Sequence, residues 1–228
     1  MSARDRSELA AFADAMAHRL ATPARIVSGN VRILEGSAEG LDPDAAAALA
    51  AVMRGSRWIG EIVDGLTRYG RVGDPPEEHE RVDAADEARQ AIELLATPIA
   101  GSGAVIDVGA LPVLDAEPRA LRTIFRCLLD NAIRSRPDGP PTIALASERE
   151  ATAWHLTVSD DGAGVAAPDR ERVFEPFVSI ATGHAAGGAG LGLTLARDMV
   201  QRHGGEIWLD GRDGGGTTVH VVWPDTVG

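Results

Sequence analysis

The stretch DDGAGVAAPDRERVFEPFVSIATGHAAGGAGLGL spans Asp160–Leu193 and has the make-up of a loop system that holds a nucleotide. Two glycine clusters, Gly162/Gly164 and Gly187/Gly188/Gly190/Gly192, flank the aromatic-proline island Phe174-Glu175-Pro176-Phe177. Glycine lets a backbone approach a ligand closely and take positive φ. The second cluster runs into the apolar-periodic segment Leu191–Val200, which predicts a helix whose first amides and dipole face an anion. Upstream, Trp154–Val158 alternates like a half-buried strand and delivers Asp160 to the first glycine turn, where a carboxylate can accept from an adenine amino group.

A glycine cluster by itself is also what surface turns use, so its neighbours decide. Before Asp160, Leu128–Arg134 places Asn131 and Arg134 on neighbouring turns of a predicted helix: an amide oxygen for a metal and a guanidinium for phosphate. The ordered set Asn131-Ala132-x-Arg134, Asp160-x-Gly162-x-Gly164, Phe174-x-Pro176-Phe177 and Gly188-x-Gly190-x-Gly192 resembles the N, G1, F and G2 boxes of the histidine-kinase ATP-binding domain. The resemblance implies a sheet backed by helices and Mg-ATP held under a lid, residues 178–187. It implies Asn131 as the magnesium ligand, Asp160 as the adenine selector, and Arg134, Gly162, Gly164, Phe174, Phe177, Gly188, Gly190, Leu191 and Gly192 as the rest of the nucleotide site. Cys127 departs from the pattern by standing where the N box has its first asparagine.

The composition narrows the classes further. A chain of 228 residues with 44% hydrophobic content can build one large or two modest cores. A net charge of −12 argues against nucleic acid and anionic membrane surfaces as partners. All 22 basic residues are arginine, which excludes a Schiff-base lysine and a P-loop lysine. The longest apolar run, Ala45–Met53, is too short for a bilayer, and the amino-terminal residues lack an apolar signal core, so the expectation is a cytoplasmic protein. The single cysteine, Cys127, lies among Phe125, Leu128 and Leu129 and reads as buried packing.

Residues 3–34 read as a helix with Leu9, Met16, Leu20, Val27, Val31 and Leu34 in one stripe and His18 opposite, sharing its face with Asp14, Thr22 and Arg25. Pro23 removes an amide and predicts a bend one turn beyond His18. Asp42-Pro43 is an N-cap with proline at the first helical position, opening a second helix to about Tyr69. Two such helices bury too little alone, so a homodimeric four-helix bundle is expected over residues 1–71. Residues 72–81, rich in proline and charge, read as a linker. Beyond it, helices at 82–95 and 117–134 and strands at 104–108, 142–146, 154–158, 206–209 and 217–223 give an α+β fold, a two-layer α/β sandwich over 82–228. Gly214–Gly216 is the last hairpin turn.

His18-Arg-Leu-Ala-Thr-Pro23 resembles the H box of histidine kinases, commonly His-Glu-Leu-Arg-Thr-Pro, whose histidine is the phosphoryl acceptor. The resemblance implies a two-component kinase core that phosphorylates His18 and passes the group to an aspartate of a response-regulator receiver domain, with its signal from a separate sensor or input protein. In the family the acidic residue after the histidine accepts the ring proton. Here that position is Arg19, which is no general base at neutral pH. Thr22 keeps the hydroxyl that helps position water against a partner's aspartyl phosphate. Two further readings follow: a kinase-impaired phosphatase acting through Thr22, and a non-catalytic docking dimer. His79, His155, His184, His203 and His220 show no metal-like spacing and read as structural.

Overall fold

The computed structural model describes residues 3–36, 41–70, 78–135, 139–178, 190–212 and 214–225. They form two compact units, residues 1–74 with 187–191 and residues 75–186 with 192–228.

The first unit is a hairpin of α1 (Ala3–Gly36) and α2 (Pro43–Gly70). Asp42 caps α2, its Oδ1 accepting from the Ala45 amide at 2.8 Å, which satisfies one of the orphan donors of a helix start. Helix α1 continues through Pro23. The face of α1 turned inward is a seam of small residues: Ala13, Ala17, Ala24 and Val31 are buried, as are Val63 and Leu66 of α2. Ser28 and Ser56 bridge the two helices by a 2.9 Å hydroxyl pair. The predicted stripe is therefore corrected in part. Leu20, Val27 and Leu34 are exposed, along with Phe12, Ile26 and Ile33, because alanines let the two backbones approach and leave the bulky residues outside that seam.

The second unit contains β1 (Glu80–Asp83), α3 (Ala84–Leu94), α4 (Ala96–Ser102), β2 (Val105–Val108), β3 (Val113–Ala116), α5 (Pro118–Arg134), β4 (Thr142–Arg149), β5 (Ala153–Asp160), α6 (Gly192–Arg202), β6 (Glu206–Gly211) and β7 (Thr217–Pro224). Five strands form one sheet in the order β2-β4-β5-β7-β6, with β2 parallel to β4 and the other pairs antiparallel. Alternation sends Ile143, Leu145, Leu156, Val158, Ile207, Leu209, Val219, Val221 and Trp223 to one buried face. Against it lies a helical layer in which α5 packs on α3 and α6, burying Leu121, Ile124, Phe125, Leu128, Leu129, Leu195 and Val200. The α+β reading and the sheet backed by helices hold. Cys127 is buried within α5.

Two departures occur where the chain enters this unit. Glu80 and Arg81, expected in the linker, belong to β1, which pairs antiparallel with β3, a strand the sequence reading lacks. Helix α3 accordingly begins at Ala84 rather than at 82, because Asp83 is its N-cap and accepts from the Ala85 amide at 2.8 Å. Val82 instead points into the core from the strand.

Candidate nucleotide site

Asp160 is the last residue of β5, the central strand of the sheet, and is 2% exposed. Its Oδ1 accepts from the Gly162 amide at 2.8 Å and lies 2.9 Å from Ser135 Oγ. Ser135 follows α5 directly, and its hydroxyl is also 2.8 Å from the Ala132 carbonyl oxygen. The Ala163 amide donates to the Ser135 carbonyl at 3.0 Å. The first glycine turn is thus stitched to the carboxyl end of the helix that carries Asn131. Gly162 is glycine for a steric reason, since a Cβ there would lie 2.0 Å from Ser135 Oγ and 2.7 Å from its carbonyl oxygen. Gly164 (φ 77°) sits over Gly216, and Arg212 donates to the Asp160 main-chain carbonyl at 3.0 Å.

Burial pushes the Asp160 carboxyl above the ordinary carboxylate value, against the lowering pull of the Gly162 amide, the Ser135 hydroxyl and the Thr217 amide; the neighbouring Asp161 charge adds to the rise. A folded-state value raised above the unfolded one means the native state holds this proton more tightly. The contribution to stability is complete below the unfolded value and is lost as pH rises through the folded one. Urea unfolding from the ordinary carboxylate range upward is expected to show the native protein losing stability relative to Asp160→Asn as pH rises. An unchanged difference across that range would remove Asp160 as the source.

On α5, Asn131 is half-buried, one turn beyond Cys127. Gly192, the first residue of α6, places its Cβ position 4.0 Å from the Cys127 Cβ, so the amide-bearing start of α6 lies beside the turn leading to Asn131. Arg134 is half-buried, its Nε donating to Asp130 Oδ1 one turn back at 3.2 Å. Magnesium takes few protein ligands and keeps waters, so one side-chain amide oxygen beside substrate phosphates would suffice to hold it. Gly190 has φ 64°, and Leu191 is buried.

The two aromatic residues of the island part ways. Phe174 is buried under the Arg197 guanidinium, 4.0 Å from its ring centroid, and Arg197 is held by Glu171 at 2.7 Å. Phe177 is exposed with φ 65°, a left-handed conformation that a bulky residue rarely takes. Gly187, Gly188, His184 and the rest of the expected lid beyond Val178 lie outside the described residues. On α1, His18, Arg19, Thr22 and Arg25 are all exposed.

Sequence reasoning missed Ser135 and Gly216. The only signal for Ser135 is its position, a small polar residue one step beyond Arg134. Gly216, read as a turn residue, has φ 96° and packs on the main chain of Asp160. Of the histidines read as structural, His155 Nε2 and His220 Nδ1 pair across β5 and β7 at 3.0 Å, with Trp208 stacked on His220.

Residues 116–227 match the family described as histidine kinase-, DNA gyrase B-, and HSP90-like ATPase. The chain is 30% identical over 222 residues to the phytochrome-like protein Cph1 of Synechocystis sp., covering 97% of this chain and 30% of Cph1. It is 35% identical over 115 residues to the adaptive-response sensory kinase SasA of Nostoc sp., covering 50% of this chain and 28% of SasA. Full-length ShkA, solved in complex with AMPPNP, superposes with a TM-score of 0.64 at 25% identity, covering 95% of this chain and 46% of ShkA. The chain thus spans about a third or less of the length of the curated relatives it matches. No described helix is long and apolar enough to cross a membrane. A sheet backed by helices, a buried carboxylate at the first glycine turn, the family match over residues 116–227 and relatives named as sensory kinases converge: the chain belongs to the sensor histidine kinases.

Proposed function

We propose that the protein is a two-component histidine kinase core that binds Mg-ATP in residues 82–228, phosphorylates His18 and passes the phosphoryl group to an aspartate of a response-regulator receiver domain. The observation that carries this reading is the buried Asp160 carboxyl, clamped by the Gly162 amide and by Ser135 at the end of the helix that bears Asn131. In it, Asp160 accepts from the adenine amino group, Asn131 holds magnesium, and Arg134 with the start of α6 faces the phosphates. Gly162 and Gly164 shape the turn, while Phe174 anchors the island and Phe177 closes over the nucleotide. Gly188, Gly190, Leu191 and Gly192 form the second phosphate-side turn. Magnesium, when bound, neutralises phosphate charge. An imidazole nitrogen of His18 forms a bond to the γ-phosphorus as the bond to the β–γ bridging oxygen breaks, ADP leaves, and the ring gives up its proton.

The exposed Phe12, Leu20, Ile26, Val27, Ile33 and Leu34 of α1 support a homodimer in which a second hairpin covers these residues. A separate sensor or input protein would supply the signal, and the working compartment is the cytoplasm. Arg19 favours a second reading, a phosphatase of the receiver that uses Thr22 and keeps ATP as a regulatory ligand.

Incubation with γ-labelled Mg-ATP tests the first reading. Acid-labile, base-stable label is expected on the native protein and absent from His18→Ala and Asn131→Ala. Label that persists in His18→Ala would sink His18 as acceptor; nucleotide binding without label would favour the phosphatase reading.

A further inference from the structure

Away from the nucleotide site, three residues far apart in the chain converge. His79 precedes β1, Glu117 is the N-cap position of α5, and His203 follows α6. One ligand atom from each lies within 4.8 Å of the other two. His79 Nε2 is 3.9 Å and His203 Nε2 3.7 Å from the same Glu117 Oε1. The two imidazoles stack with centroids 5.0 Å apart.

His203 is the telling member. It is 2% exposed, and its Nδ1 is 2.8 Å from the Met199 carbonyl oxygen. A carbonyl can only accept, so the proton sits on Nδ1, and in the neutral ring Nε2 presents a lone pair. That Nε2 is buried and has no hydrogen-bond partner among the described residues. Buried polar atoms are seldom left so. Here the lone pair faces a carboxylate oxygen and a second imidazole, all electron-pair donors, an arrangement that favours a cation between them.

We propose that His79, Glu117 and His203 form a site for a divalent transition metal of the zinc class, with its fourth position open to water. Around a tetrahedral ion with N and O ligands about 2.0–2.1 Å away, ligand atoms lie about 3.4 Å apart. The observed 3.7 and 3.9 Å separations approach that triangle, and side-chain rotation of the partly exposed His79 closes it. The support behind the ligands fits as well. A ligating histidine usually turns its other nitrogen to a carbonyl or carboxylate. His203 does so toward Met199, and His79 Nδ1 is 3.9 Å from Asp115 Oδ1. Two imidazoles select against magnesium and calcium, which prefer oxygen. Bound metal ties the segment entering β1 to the start of α5 and the end of α6, and so firms the point where the α/β unit begins.

The test is calorimetric titration of zinc chloride into the full chain after chelator treatment and dialysis, with thermal unfolding alongside. One saturable equivalent and a zinc-dependent rise in Tm are expected, with affinity falling at least about tenfold in both His79→Ala and Glu117→Gln. His79→Ala removes a partly exposed side chain, so retained ATP binding shows that its fold persists. Absence of a saturable equivalent, equal affinity in His79→Ala, or loss in His155→Ala instead would overturn the site. Magnesium chloride in place of zinc is expected to give no shift in Tm; an equal shift would overturn the selectivity.

Discussion

Gly216→Ala is expected to cost about 3 kcal/mol of stability and to lose ATP binding with it. Two effects add. At φ 96° an alanine is strained whatever the space around it, and its Cβ would stand 2.1 Å from the Asp160 carbonyl oxygen and 3.0 Å from the Asp161 Cα. Both neighbours are backbone, so no rotamer relieves the clash. Relief requires β7 to move from the end of β5, the place that fixes Asp160. Gly214→Ala is the control, since φ there is 88° but nothing lies within 4 Å, and strain of about 1 kcal/mol is all that is expected. Urea unfolding of both variants and nucleotide titration at low temperature measure the pair. Equal midpoints would show that the Asp160 contact yields at no cost and that conformation alone makes Gly216 necessary.

The contrast between these two glycines shows how far the sequence could be read. Gly214–Gly216 announce a turn, and that much is local chemistry. Which of them touches Asp160 depends on the pairing of β5 with β7, a contact between distant residues. The same division runs through the site. Asp160, Gly162, Gly164 and Asn131 are legible because spacing within one turn or one helix places them, whereas Ser135 enters only because the end of α5 meets the first glycine turn. Strands β1 and β3 escaped notice because they pair with each other, a contact between distant residues, and because Val82 fits the period of the following helix until Asp83 caps it. On α1, hydrophobicity ranks Leu20 and Val27 above alanine, yet the hairpin packs on Ala13, Ala17 and Ala24, where small size matters more than apolar area. His79, Glu117 and His203 form no motif at all and meet only in the folded unit.

Arg19→Glu is expected to raise the rate of phosphohistidine formation about 100-fold, the lower end of what a positioned general base supplies. His18, Arg19 and Thr22 are exposed on α1, so the exchange disturbs no core and should leave the unfolding free energy within about 0.5 kcal/mol. Two consequences of the exchange compete. Reversing a surface charge beside His18 alters the electrostatics of an exposed neighbour by at most about 1 kcal/mol, a factor of about five. Supplying a carboxylate that takes the ring proton as the bond to phosphorus forms is worth about 3 kcal/mol or more, so the base wins. Arg19→Gln separates the two, because it removes the positive charge and adds no base, and only the smaller factor is expected from it. Single-turnover labelling with γ-labelled Mg-ATP at fixed pH gives both rates, and receiver dephosphorylation by the same variants measures the opposing activity that the phosphatase reading assigns to Thr22. Equal rates for the native protein and Arg19→Glu would mean that proton removal does not limit phosphorylation of His18. The phosphatase reading would then lose the observation that favours it, since Arg19 would no longer distinguish this chain from a working kinase.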